Sequence, residues 1–136
     1  MTRADLSERR MQLAGPAPQF GLAKSSRGYA PLSPELVSTD EFADPDDLEL
    51  GCRLKGGEIL QKSRTFRMVL GVPEIITYVS AVCPLMPGDV VFTGTPVGVG
   101  VGRTTPKFLA PGDVLVTWIE GIGTLRNPML AQADAT

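Results

Sequence analysis

The sequence predicts a β-rich α+β domain with one short helix, and three observations carry that reading. Fifteen glycines and twelve prolines in 136 residues cut the chain into short pieces, which argues against a helical bundle. Residues 48–55 alternate apolar and polar side chains with the period of a strand. Residues 73–82 suit a helix: Pro73 fits a first turn, Glu74 favours the positive helix end, and Ile75, Val79 and Val82 share one face.

From the start of the chain, residues 1–12 alternate poorly and bring Asp5, Glu8, Arg9, Arg10 and Gln12 together. On a helix, Asp5, Arg9 and Gln12 would fall on one face. The ordinary role of such a group is a surface ion pair, worth ~0.3–0.5 kcal/mol. Residues 15–34 contain Pro16, Pro18, Pro31 and Pro34, which forbid a helix across the stretch and mark it as a linker or an active-site loop. Residues 36–39 read as a short strand, and Asp44, Pro45, Asp46 and Asp47 as an acidic turn.

After the strand at 48–55, Gly56 and Gly57 make a two-residue hairpin turn that returns through residues 58–62. Beyond the helix, residues 85–89 form a turn, 90–93 a buried strand and 94–100 a glycine-rich loop. Pro111, Gly112 and Asp113 repeat the turn chemistry of Pro87, Gly88 and Asp89, and a strand follows at 114–119. Residues 121–127 close the ordered part, and 131–136 form a frayed tail.

Composition excludes several functions. The formal charge of −2 leaves no basic footprint for nucleic acid. Apolar runs such as residues 69–72 fall far short of the ~18–20 residues of a membrane helix. No apolar signal-peptide core follows the N-terminus, so a cytoplasmic protein is expected. Cys52 and Cys83 are far apart and form no Cys-x-x-Cys pair, which predicts buried free thiols. There is no histidine, which removes every Ser-His and Cys-His nucleophile. Proton handling then falls to carboxylates, lysine, metal-bound water or a segment outside this sequence.

Residues 93–100, Thr-Gly-Thr-Pro-Val-Gly-Val-Gly, let a backbone approach a ligand closely. No Gly-Lys-[Ser/Thr] follows, so this is not a P-loop, and it lacks the spacing of a dinucleotide fingerprint. A plain strand-to-loop connection is the alternative, and Lys24 alone would be an ordinary solvated lysine.

Together these signals resemble the fumarylacetoacetate hydrolase (FAH) family. The resemblance rests on residues 5–12 (Asp-Leu-Ser-Glu-Arg-Arg-Met-Gln), 23–25 (Ala-Lys-Ser), 30–34 (Ala-Pro-Leu-Ser-Pro), 87–100, 111–113 and 120–127, and it covers roughly residues 4–130. It implies an FAH-type mixed β-sandwich or β-roll, here incomplete, and a homodimer. By that resemblance Asp5 is a ligand of a divalent cation, Mg²⁺ or Mn²⁺ with Ca²⁺ as an alternative, since hard oxygen donors suit these ions. Arg9, Gln12, Lys24, Gly94 and Thr95 bind the substrate, and Lys24 and Arg9 also stabilise developing negative charge.

The implied reaction is hydrolysis of a carbon–carbon bond in a β-diketo acid, such as an acylpyruvate or a diketo sugar acid, through a metal-stabilised pyruvate enolate. Decarboxylases, isomerases and hydratases share this enolate chemistry. The chain departs from the family pattern in having no Glu-x-Glu pair, which supplies two metal ligands in intact members, and no histidine for water activation. It therefore reads as the C-terminal portion of such an enzyme, beginning just before the last metal ligand, and a catalytically silent domain of this fold is the alternative. Ser26 stands where an aromatic is usual and Gly28 where many members have threonine, which bears on substrate preference.

Overall fold

A four-stranded antiparallel sheet, ordered β2-β1-β3-β4, organises the computed structural model, which describes residues 1–131. The elements are α1 (Arg9–Gln12), α2 (Phe20–Lys24), β1 (Glu49–Leu54), β2 (Ile59–Arg64), α3 (Val72–Ser80), β3 (Val114–Ile119) and β4 (Gly123–Pro128). Single 3₁₀ turns lie at Thr39–Glu41, Thr65–Arg67 and Gly100–Gly102. Among the described residues no helix is long and apolar enough to cross a membrane. The β-rich α+β class predicted from the sequence is the class observed. Most of the tail expected at 131–136 lies outside the described residues.

The central pair is β1 and β3, which meet from Leu50 opposite Ile119 to Leu54 opposite Leu115. Ala4, Cys52 and Leu115 form the buried core, with Leu6, Leu60, Leu109 and Met129 packed against it. Gly51 is buried under Trp118, where an added Cβ would stand 2.5 Å from both the Gln61 carbonyl oxygen and the indole Cζ2. Cys52 is a buried thiol, and burial pushes its pKa up. Cys83 is exposed, contrary to the expectation of two buried thiols, because it follows α3 in a segment with no sheet over it.

The β1–β2 hairpin forms as expected, but its register slips: Cys52 faces Gln61 while Arg53 faces Ile59. Leu60 is the extra residue, a β-bulge. The Pro-Gly-Asp recurrence gives the same turn twice. The Asp89 carboxylate accepts from the Met86 N–H at 2.8 Å, and the Asp113 carboxylate from the Ala110 N–H at 2.9 Å. In both, the aspartate N–H donates back to the carbonyl of the same residue, at 3.0 Å each time.

Five local expectations are corrected. Residues 36–38 pair with nothing and lead into the Thr39–Glu41 turn. Residues 90–93 are irregular, and Val90, Val91 and Phe92 are exposed, so the buried strand is absent. Apolar β-favouring residues make a strand only where an edge is available to pair with. The 15–34 stretch contains α2, because positions 20–24 lie between Pro18 and Pro31 and hold no proline themselves. Asp5 is not helical: α1 spans only Arg9–Gln12, capped by the Glu8 carboxylate, which accepts from the N–H groups of Arg10 and Met11. The predicted helix near 73–82 is α3, with Glu74 accepting from the Gly71 N–H at 2.8 Å, but Val82 falls beyond its end and is exposed.

Replacing Gly51 with alanine should destabilise the protein by about 1–3 kcal/mol, because the methyl overpacks a site closed by backbone and indole. Urea unfolding followed by Trp118 fluorescence measures this, and an unchanged midpoint would contradict the packing described.

Candidate functional site

The site is built where the N-terminal segment meets residues 29–33 on one side and the loop after α3, through Phe92, on the other. Residues 2–6 run extended beside residues 29–33: Ser33 N–H donates to the Thr2 carbonyl at 2.8 Å, Ala4 N–H to Pro31 at 3.3 Å and Leu6 N–H to Tyr29 at 3.1 Å. The extended backbone sends alternate side chains to opposite sides. Thr2 and Ala4 are buried, while Arg3 and Asp5 reach a cavity of about 790 Å³.

Lys24, the last residue of α2, enters the same cavity. Its ammonium lies 2.8 Å from the Asp5 carboxylate and donates to Ser7 Oγ at 2.9 Å. The Glu8 N–H donates to the Ala23 carbonyl at 2.8 Å, and Ala23 is fully buried, so α2 is anchored one residue before the lysine. Gly94 and Phe92 close another wall. The charged lining is thus two cations, Arg3 and Lys24, around one carboxylate, Asp5, which gives the cavity an excess of positive charge.

The glycine-rich loop is clamped to the outer edge of β2. Gln61 Nε2 donates to Thr95 Oγ1 at 3.1 Å and to the Pro96 carbonyl at 2.7 Å, while its Oε1 accepts from the Cys52 thiol at 3.4 Å. The bulged Leu60 offers its carbonyl to Arg103 Nη2 at 2.8 Å. Gly98, at φ +104°, passes directly over that carbonyl, where any side chain would collide. Glu58 holds Arg103 and Lys107 at 2.5 Å each. Bonds from Lys107 and then Arg103 lower its pKa from 4.5 to about 2.

The structure therefore brings Asp5, Lys24 and Gly94 to one cavity and sets Thr95 beside it, hydrogen-bonded to Gln61. Arg9 and Gln12 do not line the cavity; the guanidinium donates to the Gln12 side-chain oxygen, and Gln12 is buried. Sequence reasoning missed Arg3, Phe92 and Gln61. Arg3 had a usable signal, since it sits two positions before Asp5 on an extended segment. Phe92 and Gln61 had none, because their partners are remote in the chain.

The divalent-cation site implied by the sequence is not made by these side chains alone. Among the described residues no three His, Cys, Asp or Glu side chains are grouped so as to hold a metal ion. Asp5 offers one carboxylate, already engaged by Lys24 and by Arg3 at 3.4 Å.

Residues 1–130 match the family described as Fumarylacetoacetate (FAA) hydrolase C-terminal. The chain is 42% identical over 126 residues to the mitochondrial oxaloacetate tautomerase FAHD2A of Bos taurus, covering 93% of this chain and 40% of that protein. A crystal structure of a protein provisionally designated HpcE from Mycobacterium smegmatis superposes with a TM-score of 0.89 at 55% identity, covering 93% of this chain and 46% of the other. Maleylpyruvate hydrolase from Sphingobium sp. SYK-6, solved with manganese(II) and pyruvate, superposes with a TM-score of 0.70 at 30% identity, covering 80% and 38%. Isomerases are among the further solved relatives. The chain spans about 40% of the length of the curated relatives it matches.

The Glu58 clamp carries a pH signature. Its folded pKa lies below its unfolded value, so its contribution to stability is full above pH 4.5 and is lost as pH falls toward about 2. Glu58→Gln should be less stable than the parent at neutral pH, and the two thermal midpoints should converge as pH is lowered through that window. A gap that stays constant with pH would contradict the clamp.

Proposed function

Because this chain belongs to the fumarylacetoacetate hydrolase family, whose C-terminal domain it matches over residues 1–130, we propose that its cavity binds a 2-oxo acid and stabilises the enolate of that acid. The carrying observation is the convergence of Lys24 and Asp5 on one cavity, with Arg3 beside them. The relatives' names support the substrate class: oxaloacetate is a 2-oxo acid, and maleylpyruvate contains the same unit.

The reaction we assign is hydrolysis of a carbon–carbon bond in a β-diketo acid of the acylpyruvate kind. Water adds to the carbonyl distal to the 2-oxo acid unit. The adjoining carbon–carbon bond then breaks, the acyl part leaves as a carboxylic acid, and the bonding electron pair becomes the enolate of pyruvate, which takes up a proton from the added water. In this reading Lys24, an ammonium held by Ser7 and Asp5, neutralises the enolate oxygen as charge develops. Gly94 and Thr95 present backbone and a hydroxyl, held by Gln61, to the substrate carboxylate. Arg9 and Gln12 bond to each other outside the cavity, so this reading gives them no substrate contact. Asp5 would be one oxygen donor to a divalent cation, with further donors from outside this chain. Manganese in the Sphingobium hydrolase supports divalent metal use in the family.

Tautomerisation or isomerisation of the same enol is the second reading. The bovine tautomerase, 42% identical, and the isomerases among the solved relatives support it. Both reactions need the same charge stabilised, so Lys24 serves either.

The test is to supply the chain, with Mn²⁺, with an acylpyruvate and separately with oxaloacetate. Loss of the diketone enol absorbance with release of pyruvate supports hydrolysis; enol–keto interconversion without cleavage supports the second reading. Lys24→Ala should lower either rate by ~10²-fold or more, on the scale of removing one preorganised charge-stabilising donor. Full activity in that variant would remove Lys24 from the chemistry.

A further inference from the structure

Arg3 is the charged residue of the cavity that neither the sequence motifs nor the enolate chemistry uses. Its backbone is fixed by an isolated bridge to Leu32 and by the Thr2 N–H donating to Ser33 Oγ at 2.9 Å. Its guanidinium carbon lies over the Phe92 ring, 3.3 Å from the centroid, a cation–π contact that restrains the group. Yet the group is poorly satisfied. Nε is buried with no hydrogen-bond partner, and the bond to Asp5 is a long 3.4 Å donation from Nη2. Lys24 already neutralises Asp5 at 2.8 Å, so Arg3 is a second cation at a carboxylate that needs one.

A planar guanidinium that is restrained, largely out of solvent and short of acceptors is matched by a carboxylate, which takes two parallel N–H donors. The geometry points to Arg3 as the specificity-determining residue that binds a second carboxylate, so that the cavity prefers 2-oxo diacids to 2-oxo monoacids. This rests on the 2-oxo acid reading above and extends it: Lys24 meets the enolate end and Arg3 the far end. The cavity, at about 790 Å³, has room for both groups of a small diacid. Phe92 acts through Arg3, as the platform that keeps the fork open.

The test compares two 2-oxo acids of equal carbon count, 2-oxobutyrate and freshly prepared oxaloacetate, by calorimetric titration of the chain. The parent should bind oxaloacetate about tenfold or more tightly than 2-oxobutyrate, the worth of one charged bidentate contact. Arg3→Gln should abolish that ratio and leave 2-oxobutyrate affinity within about twofold. Arg3→Lys, which keeps the charge without the fork, should retain part of it. Arg3→Gln weakening both acids equally would make Arg3 a structural partner of Asp5 and overturn the inference. So would a diacid preference that survives the substitution, while the 2-oxo acid reading would stand. A parent chain that binds neither acid overturns both.

Discussion

The bulge at Leu60 is the constraint on which the glycine-rich loop depends. Strand β2 is an edge strand, and its outward backbone groups need partners or they invite another chain. The slipped register turns the Leu60 carbonyl toward Arg103, and the loop lies down over it through Gly98 and the Gln61 amide. One irregularity thus covers the sheet edge and holds the loop that carries Thr95 and the cavity-lining Gly94. The same Gln61 reaches inward to the Cys52 thiol, so the loop is tied to the core as well as to the edge.

The opposite wall of the cavity owes little to the sheet. It is made by residues 2–6 lying along residues 29–33, with α2 closing behind them. Two buried small side chains, Ala4 and Ala23, let these segments approach. What projects from that wall is charge: Arg3, Asp5 and Lys24 within one ion-paired group. Such a group in a partly enclosed space responds strongly to an incoming anion, because the effective dielectric there is lower than in water.

Relatives named for tautomerisation, isomerisation and hydrolysis share this domain. The step in common is stabilisation of negative charge beside a carboxylate. Under the proposed function, the Lys24 ammonium and the glycine-lined backbone would provide that whatever bond is made or broken next. The choice among reactions then falls to groups that deliver or remove protons, and this histidine-free chain offers few of them.

By itself, the sequence determined whatever is closed by neighbouring residues. The two Pro-Gly-Asp turns, the acidic turn at 44–47 and α3 with its Glu74 cap satisfy their backbone groups locally, and all four were legible. The motif residues Asp5, Lys24 and Gly94 were also legible, and they do meet in one cavity. Tertiary structure alone decided what needs a distant partner. Residues 36–38 and 90–93 carry strand-forming side chains but find no edge, whereas β1 finds two. Arg3 on Phe92, and Gln61 on Thr95, join residues that no local pattern connects. A strand or a binding pocket is a property of the neighbours that fill its hydrogen bonds, and the chain acquires those neighbours only by folding.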